Sequence, residues 1–166
     1  MSFQEKKKRK RSDYKYFLEY RTRWSDNDMY HHMNNPVYGQ LFDSIINDYL
    51  IKYCGRRPFH PQTKENGIVV TSHCDFFGSV GYPSMIDACM RVNKLGKTSV
   101  EYEVGIFEQG KDDVRAVGGF MHVFCDQDTG RPMPNGMSDE IRKPLEAIMA
   151  DEEKAKYEKE RAKAKL

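Results

Sequence analysis

A helical pattern between residues 36 and 53 places the strongest constraint on the fold. Apolar residues recur at every fourth position in two adjacent rows, Val37, Leu41, Ile45 and Tyr49, and Tyr38, Phe42, Ile46 and Leu50. Residues four apart lie on the same side of an α-helix, so the two rows form one broad apolar face. The pattern therefore predicts a helix that the rest of the chain largely surrounds.

Local signals predict where this helix begins and ends. Asn35 is a favoured N-cap residue, and Pro36 suits the first helical position because its missing N–H would be unpaired there anyway. Gly55 is a plausible C′ residue. Residues 56–66, with two prolines, are predicted to form a loop.

Alternating apolar and polar residues predict five strands around this helix. One strand, residues 14–23, precedes the helix, and four follow it at residues 68–78, 84–95, 98–109 and 114–126. The separators between the last four are short and rich in turn residues, which implies antiparallel neighbours. We therefore expect an α+β fold in which a curved antiparallel sheet of about five strands wraps around one central helix.

The two ends of the chain have a different composition from this domain, which spans residues 14–137. Residues 1–13 are polar and basic, and we expect a disordered arm there. Ser138 is a candidate N-cap for a C-terminal helix over residues 138–150, with an apolar stripe of Ile141, Leu145, Ile148 and Met149. Residues 151–166 are almost devoid of apolar side chains and read as a solvated helical extension or a disordered tail.

Reactive side chains are concentrated in the loop that joins the first strand to the central helix. They are Asp26, Asp28, His31, His32, Asn34 and Asn35. The loop leads into a helix N-terminus, whose free backbone N–H groups can bind a carbonyl oxygen or an oxyanion. A carboxylate aimed at a carbonyl that is polarised by N–H donors is a minimal acyl-transfer site.

The order of elements resembles the hotdog fold, and the loop resembles the motif of 4-hydroxybenzoyl-CoA thioesterase-like acyl-CoA thioesterases. That motif reads Asp-x-Asp-x-x-Gly-His-Val-Asn-Asn-x-x-Tyr, and residues 26–38 here read Asp-Asn-Asp-Met-Tyr-His-His-Met-Asn-Asn-Pro-Val-Tyr. Residues 95–100 also look like that family's turn between the third and fourth strands. The likeness covers about residues 16–132. It departs from the family at His31, which stands where the family has glycine, and a glycine there would allow a positive φ or a close approach of substrate.

The resemblance implies roles for the reactive residues of the loop. Asp28 matches the catalytic carboxylate, as nucleophile on the thioester carbon or as base for water, and the alternative is a turn-stabilising residue. The Asn35 backbone N–H would polarise the thioester carbonyl, a role compatible with capping the helix. His32 is expected to be one of the catalytic residues. Together with Asn34, which is also a candidate for contact with the substrate, it is expected to brace the loop by hydrogen bonds. His31 is expected to shape the substrate pocket. Asp26 is expected to hold the loop by accepting backbone N–H groups.

Further residues are candidates for binding the substrate. Tyr38 is expected to line the acyl pocket or the core. Arg91, Lys94 and Lys97 are candidates for the phosphates of CoA, although a charged strand turn is also an ordinary solvated turn. The four cysteines show no paired spacing, which argues against a zinc site and a disulfide framework.

The function implied by the resemblance is hydrolysis of an acyl-CoA to free acid and CoA, with no cofactor apart from the CoA of the substrate. The resemblance also implies a homodimer or homotetramer that pairs through edge strands and shares its active sites. One alternative is a non-catalytic acyl-CoA-binding or adaptor protein in which His31 blocks turnover. Another is a hotdog-fold enoyl-CoA hydratase, whose Asp-x-Asn-Pro-x-His pattern is echoed loosely by Asp26, Asp28 and His31.

Composition gives further expectations about partners and location. The net charge of +2 offers no reason to expect a nucleic-acid partner, and no apolar run approaches a membrane span. The cysteine usage favours a reduced intracellular compartment. The last residues, Ala164, Lys165 and Leu166, resemble a peroxisomal address, which would suit fatty acyl-CoA substrates and lipid metabolism, and otherwise we expect a cytoplasmic protein. Residues 6–11 are six basic residues that fit a nuclear-import pattern, but we favour a solubilising tail.

Overall fold

The computed structural model describes residues 1–57 and 64–163 of the chain, with side chains up to residue 159. A short helix, α1 (Phe3–Lys6), opens the chain, and helix α2 (Asn35–Tyr53) lies at its centre. The buried side chains of α2 are Val37, Tyr38, Leu41, Phe42, Ile45, Ile46, Tyr49 and Leu50, which are the two predicted apolar rows. The prediction of a central, surrounded helix is therefore confirmed.

The ends of α2 agree with the sequence signals to within one residue. The N-cap is Asn34, whose backbone is extended and whose carbonyl accepts the N–H of Val37 at 2.9 Å, so the predicted cap at Asn35 was one residue late. Gly55 has a φ of 61°, as the left-handed C′ position requires. The loop predicted over residues 56–66 lies partly outside the described residues.

The sheet consists of β1 (Tyr16–Arg21), β2 (Glu65–Phe76), β3 (Met85–Leu95), β4 (Ser99–Glu108) and β5 (Val114–Asp126). The strand order is β1-β3-β4-β5-β2, and every neighbouring pair is antiparallel. This arrangement confirms the α+β hotdog fold. Strand β1 is shorter than predicted at both ends, and β2 begins earlier, at Glu65.

Helix α2 packs on one face of the sheet. The rings of Phe42 on the helix and Phe120 on β5 meet edge to face at 6.2 Å. Close packing depends on Gly118, where a Cβ atom would lie 2.7 Å from the Phe42 ring and 2.3 Å from the carbonyl oxygen of His73. Most of the apolar core lies between α2 and this face.

The opposite, outer face of the sheet carries a second, smaller apolar cluster, formed by Tyr14, Cys89, Phe107, Val114 and Val117. The N-terminal residues lie over this face, so the expectation of a disordered arm over residues 1–13 is wrong. They form α1 and a 3-10 turn over Arg11–Asp13, and three of their basic side chains pair with carboxylates of the sheet.

Each ion pair joins the arm to a different strand. Lys6 Nζ lies 2.6 Å from Asp75 on β2, and Arg9 Nε lies 2.8 Å from Glu103 on β4. Arg11 Nε lies 3.1 Å from Asp87 on β3. The basic residues looked solvated in the sequence because these carboxylates come from strands far along the chain.

Two helices complete the described chain, α3 (Asp139–Ala147) and α4 (Asp151–Lys163). Ser138 occupies the N-cap position of α3 with extended backbone, although its side chain makes no capping bond. The predicted stripe of Ile141, Leu145, Ile148 and Met149 is buried. Residues 151–163 are helical, whereas the possible peroxisomal address at residues 164–166 lies outside the described residues.

Candidate active site

Asp26 holds together the loop between β1 and α2. Its side chain is buried, and it accepts hydrogen bonds from the Tyr20 hydroxyl at 2.7 Å and the Arg23 backbone N–H at 2.7 Å. The Asp26 backbone carbonyl accepts the N–H of Asn34 at 2.8 Å. Burial opposes ionisation of Asp26, but the hydrogen bonds from Tyr20 and Arg23 outweigh it and lower the pKa of the carboxyl group. The structural role predicted for Asp26 is confirmed.

Asp28 lies in a tight loop that folds back around its carboxylate. One oxygen, Oδ1, accepts the backbone N–H groups of Tyr30 at 2.8 Å and His32 at 3.1 Å. The Asp28 N–H in turn donates to the His32 carbonyl at 2.8 Å. Within the described chain no hydrogen bond reaches the second oxygen, Oδ2. One oxygen therefore orients the half-buried carboxylate and the other is left for a substrate or a water molecule.

His31 has a left-handed backbone conformation, which glycine adopts more readily than other residues. Its φ is 62°, and among the described residues it is the one non-glycine with a positive φ. A second loop approaches it closely, because a Cβ atom on Gly81 would lie 2.6 Å from the His31 carbonyl oxygen. His31 is exposed, so the imidazole adds bulk at the surface of the loop.

The second loop, residues 77–84, is tied to the acidic loop by several hydrogen bonds, including those between Thr22 and Ser84. Met33 donates its N–H to the Val80 carbonyl at 2.6 Å, and Tyr82 donates its N–H to Asn27 Oδ1 at 3.0 Å. These bonds hold the two loops side by side at the end of the sheet where β2 ends and β3 begins.

The N-terminus of α2 follows directly on the acidic loop. Asn34 and Val37 use their N–H groups within the loop and the first turn, and Pro36 has none. The described chain provides no acceptor for the N–H of Asn35, the first residue of the helix. The structure therefore brings an oriented carboxylate and a free helix-terminal N–H into one segment, and the bracing by His32 and Asn34 uses their backbone groups.

Tyr38 lies in the core beneath this segment, 2% exposed. Its ring meets Phe76 edge to face at 5.1 Å, and burial raises the pKa of its hydroxyl to about 12. Of the two settings expected for Tyr38, the core is the one that the structure shows.

The three residues predicted to bind CoA phosphates do not lie beside Asp28 in this chain. Arg91 is 8% exposed and its Nε lies 3.2 Å from Glu103, which also pairs with Arg9. Little of its guanidinium group therefore faces solvent in this chain, and phosphate binding by Arg91 stays a prediction. Lys94 and Lys97 lie near the far end of β3, whose 11 residues span about 33 Å. Lys97 donates to the Pro134 carbonyl at 2.8 Å.

Exposed aromatic side chains around Asp28 were given no role in the sequence interpretation. Trp24 is 73% exposed and Tyr30 69% exposed. Tyr82, from the second loop, meets Trp24 edge to face with ring centroids 6.1 Å apart. Trp24 could have been noticed in the sequence, because it lies two residues before Asp26. Tyr82 could not, because it is far from Trp24 in the sequence and reaches it only in the folded chain.

Metal ligands and cysteine thiols are the other groups that could carry chemistry. Within residues 1–57 and 64–163, His, Cys, Asp and Glu side chains form no group of three suited to a metal ion. Burial raises the pKa of Cys54, Cys74 and Cys89 to about 12, which leaves their thiols unreactive. None of the helices in the described part of the chain has the length and apolar character that a membrane crossing requires.

Comparison with known proteins identifies the family. The model of the thioesterase superfamily matches residues 30–114, a stretch that begins just after Asp28, and the chain belongs to this superfamily. Membership supports thioesterase activity in general. No curated protein sequence matches the chain significantly.

Solved structures agree with this family. The PA5185 protein of Pseudomonas aeruginosa PAO1 is 37% identical, with a TM-score of 0.80 over 86% of this chain and 96% of its own. A predicted thioesterase from Bacillus stearothermophilus is 21% identical, with a TM-score of 0.70 over 81% of this chain and 96% of its own. The BH1999 gentisyl-coenzyme A thioesterase is 17% identical, with a TM-score of 0.64 over 78% of this chain and 99% of its own. The last two show a shared fold.

Proposed function

We propose that this thioesterase hydrolyses the thioester of an acyl-CoA, with Asp28 as the reacting carboxylate. The observation that carries the proposal is the state of Asp28: Oδ1 is oriented by two backbone N–H groups, and Oδ2 is without a hydrogen bond from the described chain. The helix N-terminus that follows supplies the Asn35 N–H for the carbonyl oxygen of the substrate. A CoA thioester is also the substrate named for the gentisyl-coenzyme A thioesterase.

Two routes use this geometry. In one, Asp28 attacks the thioester carbon and expels the CoA thiolate, and water then hydrolyses the resulting anhydride. In the other, Asp28 takes a proton from water as the water attacks the same carbon, and the tetrahedral intermediate expels the thiolate. In both routes negative charge develops on the carbonyl oxygen, where a helix-terminal N–H stabilises it.

Replacing Asp28 by asparagine tests the proposal. An asparagine side chain keeps the oxygen that accepts the two loop N–H groups, so the loop should keep its shape while the charge is lost. We expect purified wild type to release free thiol from one or more members of an acyl-CoA panel. We expect Asp28→Asn to lower kcat by about 100-fold or more, the scale of a lost general base.

Asp128→Asn is the matched control. Asp128 is an exposed carboxylate just after the last residue of β5, at the end of the sheet away from Asp28. It should leave the rate unchanged. Equal rates for wild type and Asp28→Asn would refute the role of Asp28. Binding of acyl-CoA by wild type without release of thiol from any substrate would favour the alternative of a non-catalytic binding protein. The observation behind this alternative is His31, which stands where the family motif has glycine.

We further propose that the chain forms a homodimer through β2, one of the two edge strands. The six residues from Ile68 to His73 are exposed in succession, and they begin with three apolar residues, Ile68, Val69 and Val70. An exposed apolar edge favours pairing with another strand. The other edge, β1, is only six residues long and carries charged residues, which disfavours pairing there.

Pairing at β2 would also bring a second chain near Asp28, because Phe76 at the end of β2 packs on Tyr38 in the first turn of α2. Val70→Lys should convert the dimer to a monomer in analytical ultracentrifugation and abolish thiol release. Phe17→Lys, at an exposed apolar position of β1, should do neither. A fully active Val70→Lys monomer would show that one chain suffices.

A further inference from the structure

The fold holds the backbone at both residues of the exposed aromatic pair beside Asp28. Trp24 begins a 3-10 helix whose last residue is the buried Asp26, and the Tyr82 backbone is bonded to Asn27. The two side chains are 73% and 43% exposed, with ring centroids 6.1 Å apart. Large aromatic surfaces that a fold fixes in the open are typical of binding sites. Flat aromatic rings of this kind bind nucleic-acid bases by stacking.

A fixed guanidinium group adjoins the aromatic pair. Arg23 precedes Trp24, and its Nε and one terminal nitrogen donate to Asp26 Oδ1 at 3.0 and 2.9 Å. The Arg23 side chain is still 63% exposed, so it can present its remaining donors to solvent. Arg21 is exposed on the same segment. Planar arginine donors that are already oriented suit phosphate groups.

The separation of Trp24 from Asp28 lies within the reach of a CoA thioester. Trp24 and Asp28 are four residues apart, so their Cα atoms are separated by at most about 14 Å. The pantetheine chain between the sulfur and the pyrophosphate of CoA has about the contour length of four extended residues. A thioester that reacts at Asp28 can therefore place its nucleotide on Trp24.

We propose that Trp24, with Tyr82 and Arg23, binds the nucleotide of CoA: the adenine ring stacks on the indole, and a phosphate lies against the guanidinium group. This inference rests on the proposed function and adds a specificity to it. The site favours free CoA thioesters over the same acyl group on a carrier protein, because the phosphopantetheine of a carrier has no nucleotide. Loss of one stacked base weakens binding by about 5- to 150-fold.

The first test is optical, because Trp24 is the sole tryptophan of the chain. Its fluorescence should be quenched saturably by adenosine 3′,5′-bisphosphate and by CoA, and pantetheine at the same concentrations should not quench it. If CoA binds by equilibrium dialysis and leaves the tryptophan emission unchanged, the proposal is wrong. This result is read without turnover, so it does not depend on the enzyme being active.

The second test compares two substrates that carry the same acyl group. Trp24→Ala should raise KM for the acyl-CoA by about 5- to 150-fold, with kcat little changed, and leave kcat/KM for the acyl-pantetheine unchanged. Trp24→Phe should recover part of the loss. Tyr30→Ala removes another exposed aromatic side chain from the same loop but keeps the backbone N–H that Asp28 accepts, and it should not separate the two substrates.

An equal loss on both substrates in Trp24→Ala would overturn the proposal, because it would assign Trp24 to loop structure or to contact with a second copy of the chain. If wild type releases thiol from neither substrate, the proposed hydrolysis fails, and quenching by the bisphosphate alone then decides the nucleotide site.

Discussion

His122 on β5 is a buried imidazole without a hydrogen-bond partner in the described part of the chain. The residue is 3% exposed, and among the described residues neither ring nitrogen is bonded. The ring lies 5.2 Å from that of Tyr102, and the cation of Arg56 is near. Burial, followed by the charge of Arg56, lowers the pKa of His122 from 6.5 to about 4.

The sign of the effect on stability follows from these two values. Between pH 6.5 and pH 4 the unfolded chain binds a proton at His122 and the folded chain does not, so the free energy of unfolding falls as the pH falls. The full difference is about 3 kcal/mol at 1.36 kcal/mol per pKa unit, and about 2 kcal/mol of it is lost between pH 7 and pH 5. Asp26 and Glu103, whose pKa values are lowered, lose their contributions only at still lower pH.

Replacing His122 by leucine removes the titrating group at similar volume and breaks no hydrogen bond made within residues 1–57 and 64–163. Urea unfolding followed by circular dichroism at pH 7, 6 and 5, at one protein concentration, should show the wild type losing about 2 kcal/mol more than His122→Leu. His32→Gln, which alters an exposed imidazole, should keep the wild-type pH dependence. If the free energy of unfolding falls equally with pH in wild type and His122→Leu, the pH dependence does not come from His122.

Two further predictions concern the stability of the sheet, one from a charge interaction and one from a close backbone contact. Glu103→Gln leaves the buried Arg91 and the half-buried Arg9 without this counter-charge and should lower the free energy of unfolding by about 3 kcal/mol in urea titrations. A change below about 0.5 kcal/mol would contradict this role. Gly119→Ala should prevent stable folding, as judged by circular dichroism, because φ there is 148° and a Cβ atom would lie 2.1 Å from the Tyr102 carbonyl oxygen. Gly39→Ala, in open space on α2, should instead be stabilising or neutral.

The regular elements could be predicted from the sequence because their signals are local. The two apolar rows of α2 repeat every four residues. The strands β3, β4 and β5 are 10 to 13 residues long and rich in apolar residues, with turn residues between them. The acidic loop could be predicted for the same reason, because Asp26 and Asp28 make most of their hydrogen bonds with residues less than ten positions away. Periodicity and short-range hydrogen bonds therefore account for most of the fold.

Long-range pairing of charged groups accounts for what the sequence did not reveal. The arm seemed solvated because its partners Asp75, Glu103 and Asp87 lie 69, 94 and 76 residues away. Arg91 seemed available to phosphates because only the strand register places it directly opposite Glu103 of β4. Tyr82 reaches Trp24 only when the second loop has folded onto the first.

The packing of the arm has a consequence for any receptor that reads residues 6–11. Lys6, Arg9 and Arg11 are engaged by carboxylates of the sheet, so a receptor that takes the segment as an extended peptide competes with those carboxylates for the same cations. A ligand that binds only the detached arm pulls the equilibrium towards detachment by mass action. Recognition of the basic segment and adhesion of the arm are thus thermodynamically opposed, and a substitution at Glu103 would make the segment more accessible without changing one of its six residues.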